Sequence, residues 1–163
     1  MELRIREFQK KDMDAIYFLD QGAYPENQRS SYSALLDALL DRDTAALVAE
    51  EIEEGLARVI AAIIVQADPW RSRLYIVSLM VNEEFRRLGI ARRLVGWAEK
   101  LARGFDFNAL VVRLPGDDAA GEAFLNANGF AVDTEGGVDG AGEPHDDGPG
   151  VLWMREVTDE AAS

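Results

Sequence analysis

The stretch of this chain with the residue types and spacing to do chemistry is Arg86-Arg87-Leu88-Gly89-Ile90-Ala91. It follows a strand-like run, Leu74-Tyr75-Ile76-Val77-Ser78-Leu79-Met80-Val81, and opens a helix-like run, Ile90 to Arg103. A strand, a short turn and a helix entered through Gly89 gather backbone N–H groups that have no partner within the helix, so they point at whatever sits in front. Arg86, Arg87, Arg92 and Arg93 add positive charge to that spot, in a chain whose formal net charge is −13. The chemistry is that of an anion cradle, and pyrophosphate is the anion expected in it. The four arginines could instead be a solvated helix start. Basic residues at a helix N-terminus oppose its dipole, which favours a binding role.

Groups that could move a proton are scattered. Glu83 and Glu84 lie close to the cradle, but also read as the solvated edge of a turn. Tyr24 and Glu26 belong to the loop Tyr24-Pro25-Glu26-Asn27-Gln28, where they could equally be a loop filler and a surface acid. Ser78 and Tyr75 could relay a proton from the strand, or simply pack there. Asp117 and Asp118 read as helix caps. His145 is the sole histidine, so it builds neither a Ser-His-Asp triad nor a multi-histidine metal site by itself. With no cysteine in the chain, no metal site is expected.

The elements that must position these residues follow from periodicity. Leu3 to Phe8 alternates as a half-buried strand, and Asp12 to Gly22 is helical with Met13, Ile16, Tyr17 and Leu19 on one face. Ser31 to Arg42 is a second helix, carrying Ala34, Leu35, Ala38 and Leu39 at helical spacing. Ala45 to Ile52 and Ala57 to Gln66 form a hairpin around Glu53-Glu54-Gly55, and the second of these strands is apolar enough to be covered on both faces. Asp68 to Ser72 is a turn. The helix from Ile90 to Arg103 turns Ile90, Leu94, Trp97, Ala98 and Leu101 inward. Leu110 to Leu114 is a short buried strand. Asp117 opens a fourth helix that buries Ala120, Ala123, Phe124 and Ala127 and stops at Asn128-Gly129. Phe130 to Thr134 and Val151 to Val157 close the chain as a strand pair. The order β-α-α-β-β-β-α-β-α-β-β predicts an α/β layered fold with a mixed sheet of about seven strands and four helices.

The 163 residues form a single expected domain. Acidity is concentrated at the end: residues 133–163 carry nine acids and one base, a net of −8. Such a surface disfavours nucleic acid and anionic membrane and would attract a cationic small partner, unless it serves only solubility. The longest apolar run, Val59 to Val65, is too short to span a bilayer. The first residues lack the basic leader and apolar core of a signal peptide, and a cytoplasmic protein is expected. Residues 135–150 read as a mobile acidic loop and residues 158–163 as a frayed tail.

Arg86-Arg87-Leu88-Gly89-Ile90-Ala91 after a strand ending Leu79-Met80-Val81 resembles the cofactor loop Arg/Gln-x-x-Gly-x-Gly/Ala of the GNAT N-acetyltransferase superfamily. Asn128-Gly129-Phe130 is a second match, and the element order extends the resemblance over most of the chain. The resemblance implies a GNAT-like sheet splayed at strands 4 and 5. It implies acetyl-CoA as cosubstrate, its pyrophosphate on Arg86, Arg87, Leu88, Gly89, Ile90, Ala91 and Arg92. Leu79, Met80 and Val81 would bond the pantetheine arm through their backbone, with one exposed N–H polarising the thioester carbonyl.

The expected activity is acetyl transfer to a primary amine, of a small cationic molecule or of a peptide or protein, by direct attack in a ternary complex; an acyl-CoA-binding regulatory module with little turnover is the alternative. The family often takes its base from a glutamate and its acid from a tyrosine, but here Leu125 holds the usual tyrosine position and Arg113 a glutamate position. Asp118 replaces an asparagine that often opens the fourth helix. The catalytic residues are therefore not carried over, and Glu83, Glu84, Tyr24 and Glu26 remain the candidates. The acidic segment with Glu135, Asp139, Glu143, Asp146 and Asp147 would draw in a cationic amine. The final strand pair could dock a second copy in a homodimer.

Overall fold

The computed structural model describes residues 2–115, 118–133 and 150–157. Its strands are β1 (Glu2–Glu7), β2 (Thr44–Glu53), β3 (Leu56–Asp68), β4 (Arg73–Val81), β5 (Ala109–Leu114), β6 (Ala131–Val132) and β7 (Val151–Glu156). The helices are α1 (Met13–Ala23), α2 (Tyr32–Leu40), α3 (Ile90–Gly104) and α4 (Ala119–Ala127). The seven strands form one mixed sheet in the order β1-β2-β3-β4-β5-β7-β6. Class, strand number and helix number are those read from the sequence. The chain divides into two compact units, residues 1–66 with 77–97 and residues 67–76 with 98–163.

The first unit is built on a meander. β1 runs antiparallel to β2 from Glu2↔Ile52 to Glu7↔Leu47, and β2 turns into β3 at Glu54-Gly55. Both turn residues have positive φ (51° and 80°), as a twist-matched two-residue hairpin requires. Ile60 to Val65 in β3 are all 1% exposed or less, so this strand is covered on both faces as its composition predicts. On one side Met13, Ile16, Leu19, Leu35 and Leu39 from α1 and α2 pack on Val48, Ala62, Ile64 and Met80. Ser31 caps α2 by accepting the Ala34 N–H at 3.1 Å. At the sheet end Arg6 holds two buried acids: its NH2 lies 2.8 Å from Asp12 Oδ1 and its Nε 2.9 Å from Glu50 Oε1. These bonds hold both carboxyls below their ordinary range, Arg6 being the largest cause in each case.

In the second unit β4 pairs in parallel with β5 from Arg73↔Ala109 to Ile76↔Val112. The registered pairs end there, while β4 itself runs on to Val81. β5 is antiparallel to β7, which carries β6 through Ala131↔Met154 and Val132↔Trp153. Asp68 caps the Pro69–Arg71 turn, and Glu99 of α3 pairs with Arg155 of β7 at 2.6 Å. Gly150 is required where it stands: its φ is +111°, and a Cβ there would lie 2.5 Å from the Leu114 carbonyl oxygen.

Three expectations need correction. The cap of α4 is Asp118, whose Oδ1 accepts the Gly121 N–H at 2.8 Å, while Asp117 lies outside the described residues. The buried face of that helix also differs: Leu125 is buried, Phe124 half-buried, and Ala120, Ala123 and Ala127 are exposed. In α3 the buried line is Ile90, Leu94, Val95, Ala98 and Ala102, with Trp97 and Leu101 only half-buried. Helical spacing leaves the exact inward face open by about one position, and tertiary packing decides it: toward Val95 and Ala102 in α3, and toward Leu125 in α4. His145, the acidic segment and the tail from residue 158 onward also lie outside the described residues.

Candidate active site

β4 sets the geometry of the candidate site. Its side chains alternate, with Leu74, Ile76, Ser78 and Met80 buried and Tyr75, Leu79 and Val81 half-buried; Val77 is 49% exposed. Met80 is fully buried in the α1–α2 core, which leaves its side chain no ligand role. β4 stops because Asn82 turns the chain: its side chain accepts the Glu84 N–H at 3.0 Å, and its own N–H donates to the Ile60 carbonyl at 2.7 Å. A single turn at Glu83–Phe85 follows.

The cradle stretch then takes two left-handed residues in quick succession, Arg87 at φ +67° and Gly89 at φ +80°. Glycine reaches that region freely, but for arginine it costs about 1–2 kcal/mol. A strained non-glycine residue at a helix entrance persists only where the surroundings demand it. An ideal Cβ on Gly89 would meet nothing within 4 Å, so the space in front of this residue is open. Helical bonding starts with the Arg93 N–H donating to the Gly89 carbonyl at 3.1 Å. The N–H groups of Ile90, Ala91 and Arg92 precede that ladder, at the positive end of the α3 dipole. Ile90 is buried and anchors the helix start, while Arg86, Arg87, Leu88, Gly89, Arg92 and Arg93 are exposed and Ala91 half-buried. Arg86 is not wholly directed outward, because its Nε donates to the Val81 carbonyl at 3.3 Å and braces the turn. Strand end, open glycine, helix N-terminus and exposed arginines together suit a doubly charged phosphate ester.

The proton-transfer candidates separate. Glu83 and Glu84 are exposed, and the Glu84 carboxylate lies 3.4 Å from the exposed Arg58 guanidinium. Such a pair contributes at most about 1 kcal/mol. Glu26 is exposed in the turn Glu26–Gln28. Tyr24 is half-buried, and its hydroxyl lies 2.8 Å from the Ser78 Oγ. The sequence offers these two hydroxyls separately, with nothing to pair them across 54 positions; the structure joins them. It also shows Asp20, 2% exposed, as a buried acid the sequence reading missed. An acid on the apolar face of α1 beside Leu19 was the available signal. In the second unit Leu125, at the family's usual tyrosine position, is buried, and an Arg113 N–H donates to the Gly150 carbonyl at 3.1 Å. Among the described residues no group of three or more His, Cys, Asp or Glu is placed to hold a metal ion, and no helix is long and apolar enough to cross a membrane.

Comparison with known proteins agrees with this geometry. The acetyltransferase (GNAT) family model matches residues 11–130. No curated protein sequence matches the chain. Among solved structures, the fold is similar to the ribosomal-protein-S18-alanine N-acetyltransferase of Escherichia coli, at 15% identity over 97% of this chain and 96% of that one (TM-score 0.74). It is similar to the PaiA N-acetyltransferase of Thermoplasma acidophilum in complex with coenzyme A, at 17% identity over 96% and 99% (TM-score 0.72). Ard1 of Thermoplasma volcanium is matched at 19% identity over 98% and 100% (TM-score 0.75). With the family model covering most of its length, the chain belongs to the GNAT acetyltransferase family and is an acetyl-CoA-dependent N-acetyltransferase.

Proposed function

We propose that residues 1–163 act as one acetyltransferase domain that binds acetyl-CoA along Leu79–Arg92 and acetylates a primary amine of a small cationic molecule or of a peptide or protein. The observation that carries this reading is the helix entrance at Gly89, where φ is +80° and nothing lies within 4 Å of a Cβ position, so a ligand can approach the backbone at the start of α3. In the proposal Leu88 to Arg92 hold the pyrophosphate by backbone donors and Arg86, Arg87 and Arg92 neutralise its charge. Leu79, Met80 and Val81 orient the pantetheine arm through their backbone groups. One N–H of that segment lies against the thioester oxygen, where negative charge develops as the amine attacks.

The ammonium proton leaves before attack, because an ammonium has no lone pair; the amine nitrogen then bonds to the acetyl carbon, the carbon–sulfur bond breaks, and coenzyme A departs as a thiolate that takes up a proton as the nitrogen sheds its second one. Positioning and backbone polarisation carry most of the rate in this account. Glu83, Glu84, Tyr24 and Glu26 are the residues from which a base is to be sought. A net charge of −13 supports a cationic acceptor. The names of two structural relatives support a protein amine, one being a ribosomal-protein-alanine N-acetyltransferase and another a NatC complex bound to a Gag peptide. A homodimer through the final strands and a cytoplasmic location complete the proposal.

Thiol release from acetyl-CoA, measured across polyamines, aminoglycosides, amino acids and peptides with free N-termini, tests it. Turnover concentrated on one amine class supports the reading. Coenzyme A binding without turnover on any amine would instead favour a regulatory acyl-CoA binder.

A further inference from the structure

The segment from Tyr24 to Ser30, between α1 and α2, is held in an unusual way. Pro25, Glu26, Asn27, Gln28 and Arg29 are all exposed, so apolar burial holds this segment only at Tyr24, whose ring packs on the α1–α2 core, and an exposed loop of that kind is ordinarily mobile. Polar ties fix the rest. The buried Asp20 carboxylate accepts the Ser30 N–H at 2.8 Å and the Gln21 amide at 3.3 Å, and the Gln21 amide also donates to the Ser30 carbonyl at 3.1 Å. At the other end Arg29 Nε donates to the Tyr24 carbonyl at 2.9 Å. The Tyr24 hydroxyl then ties the closed loop to β4 at Ser78, which is 8% exposed and immediately precedes Leu79. An acid on the core face of α1 is costly to bury, and a leucine would serve helix packing better. The carboxylate makes sense if the position of the loop end matters.

We propose that Asp20 and the Tyr24–Ser78 hydroxyl pair are a positioning device that fixes the loop of residues 24–30 against β4 as the wall of the amine-acceptor site. The proposal rests on the reading that Leu79–Val81 flanks the thioester. In this role Tyr24 and Ser78 act through the loop and the strand; were Tyr24 the base itself, Tyr24→Phe would lower kcat and Ser78→Ala would not, whereas positioning is read in the amine KM of both variants. Losing either hydroxyl therefore loosens the amine's seat and leaves the coenzyme A seat alone.

The test uses Tyr24→Phe, Ser78→Ala and the double variant, with spermidine and an alanine-initiated tetrapeptide as amine probes. Each single variant is expected to lower kcat/KM for the amine about five-fold, the worth of one neutral hydrogen bond. The loss falls on the amine KM, the acetyl-CoA KM stays within two-fold of wild type, and the double variant is no worse than the singles. Asp20→Asn is read separately by hydrogen exchange, where faster exchange of the Ser30 amide is expected. Unchanged amine KM in active Tyr24→Phe and Ser78→Ala proteins overturns the positioning role, as does a parallel rise in the acetyl-CoA KM. A wild-type protein that releases thiol with neither probe would sink the acceptor reading, and the proposal with it.

Discussion

Replacing Gly89 with alanine is the sharpest perturbation of the cradle, because its cost to the fold and its cost to binding can be separated. At φ +80° an alanine pays about 1–2 kcal/mol. No clash adds to this, since a Cβ there meets nothing within 4 Å. For a chain of this size that strain lowers the melting temperature by about 2–8 °C. Binding suffers by another route. Either the methyl group stands where the phosphate must approach, or φ relaxes and swings the Ile90, Ala91 and Arg92 N–H groups off target. Both lose at least one hydrogen bond to a charged group, about 1.5–3 kcal/mol, so Kd for coenzyme A rises about 10- to 100-fold. Calorimetric titration of the folded variant reads this directly. A Gly89→Ala protein that melts a few degrees early but binds coenzyme A within two-fold of wild type refutes the placement of the pyrophosphate.

Two further outcomes follow from the rest of the molecule. Asp12 and Glu50 titrate below their ordinary values of 3.8 and 4.5 because Arg6 binds both, so their contribution to stability is full above those values and is lost as pH falls through the lowered folded values. Chemical denaturation from pH 7 to pH 2 checks this acid limb, and Arg6→Met, which strips the buried Asp12 of its guanidinium and leaves Glu50 to Arg4 alone, is expected to lose about 3 kcal/mol at pH 7. Asp118→Ala removes the α4 cap seen at 2.8 Å and is expected to cost about 1 kcal/mol in urea unfolding; no loss would mean that Asp117 can take over the cap.

The parts of the fold that were legible in the sequence are those set by local rules. The apolar run in β3, the alternation in β1 and the glycine-marked hairpin at Glu54-Gly55 each follow from period or turn chemistry. The strand, turn, glycine and helix around Gly89 were legible for the same reason, since they are consecutive in the chain. What escaped depends on register and on long-range pairing. Arg4 and Glu50 stand opposite each other in the β1–β2 ladder, but only the register says so. Tyr24 and Ser78 were candidates without a partner until the fold joined them. The left-handed Arg87 has no sequence mark, because its conformation is imposed by the turn from Asn82 to Gly89. The inward faces of α3 and α4 differ from the expected ones because helical spacing leaves the face open by about one position and only the neighbours it packs against decide it.

The measurement that tests the central claim most directly is amide hydrogen exchange of the whole chain with and without saturating coenzyme A. The account predicts new protection concentrated at Leu79–Val81 and Leu88–Arg92, with little change in α2. Saturable binding that leaves the Leu88–Arg92 amides unprotected would contradict it.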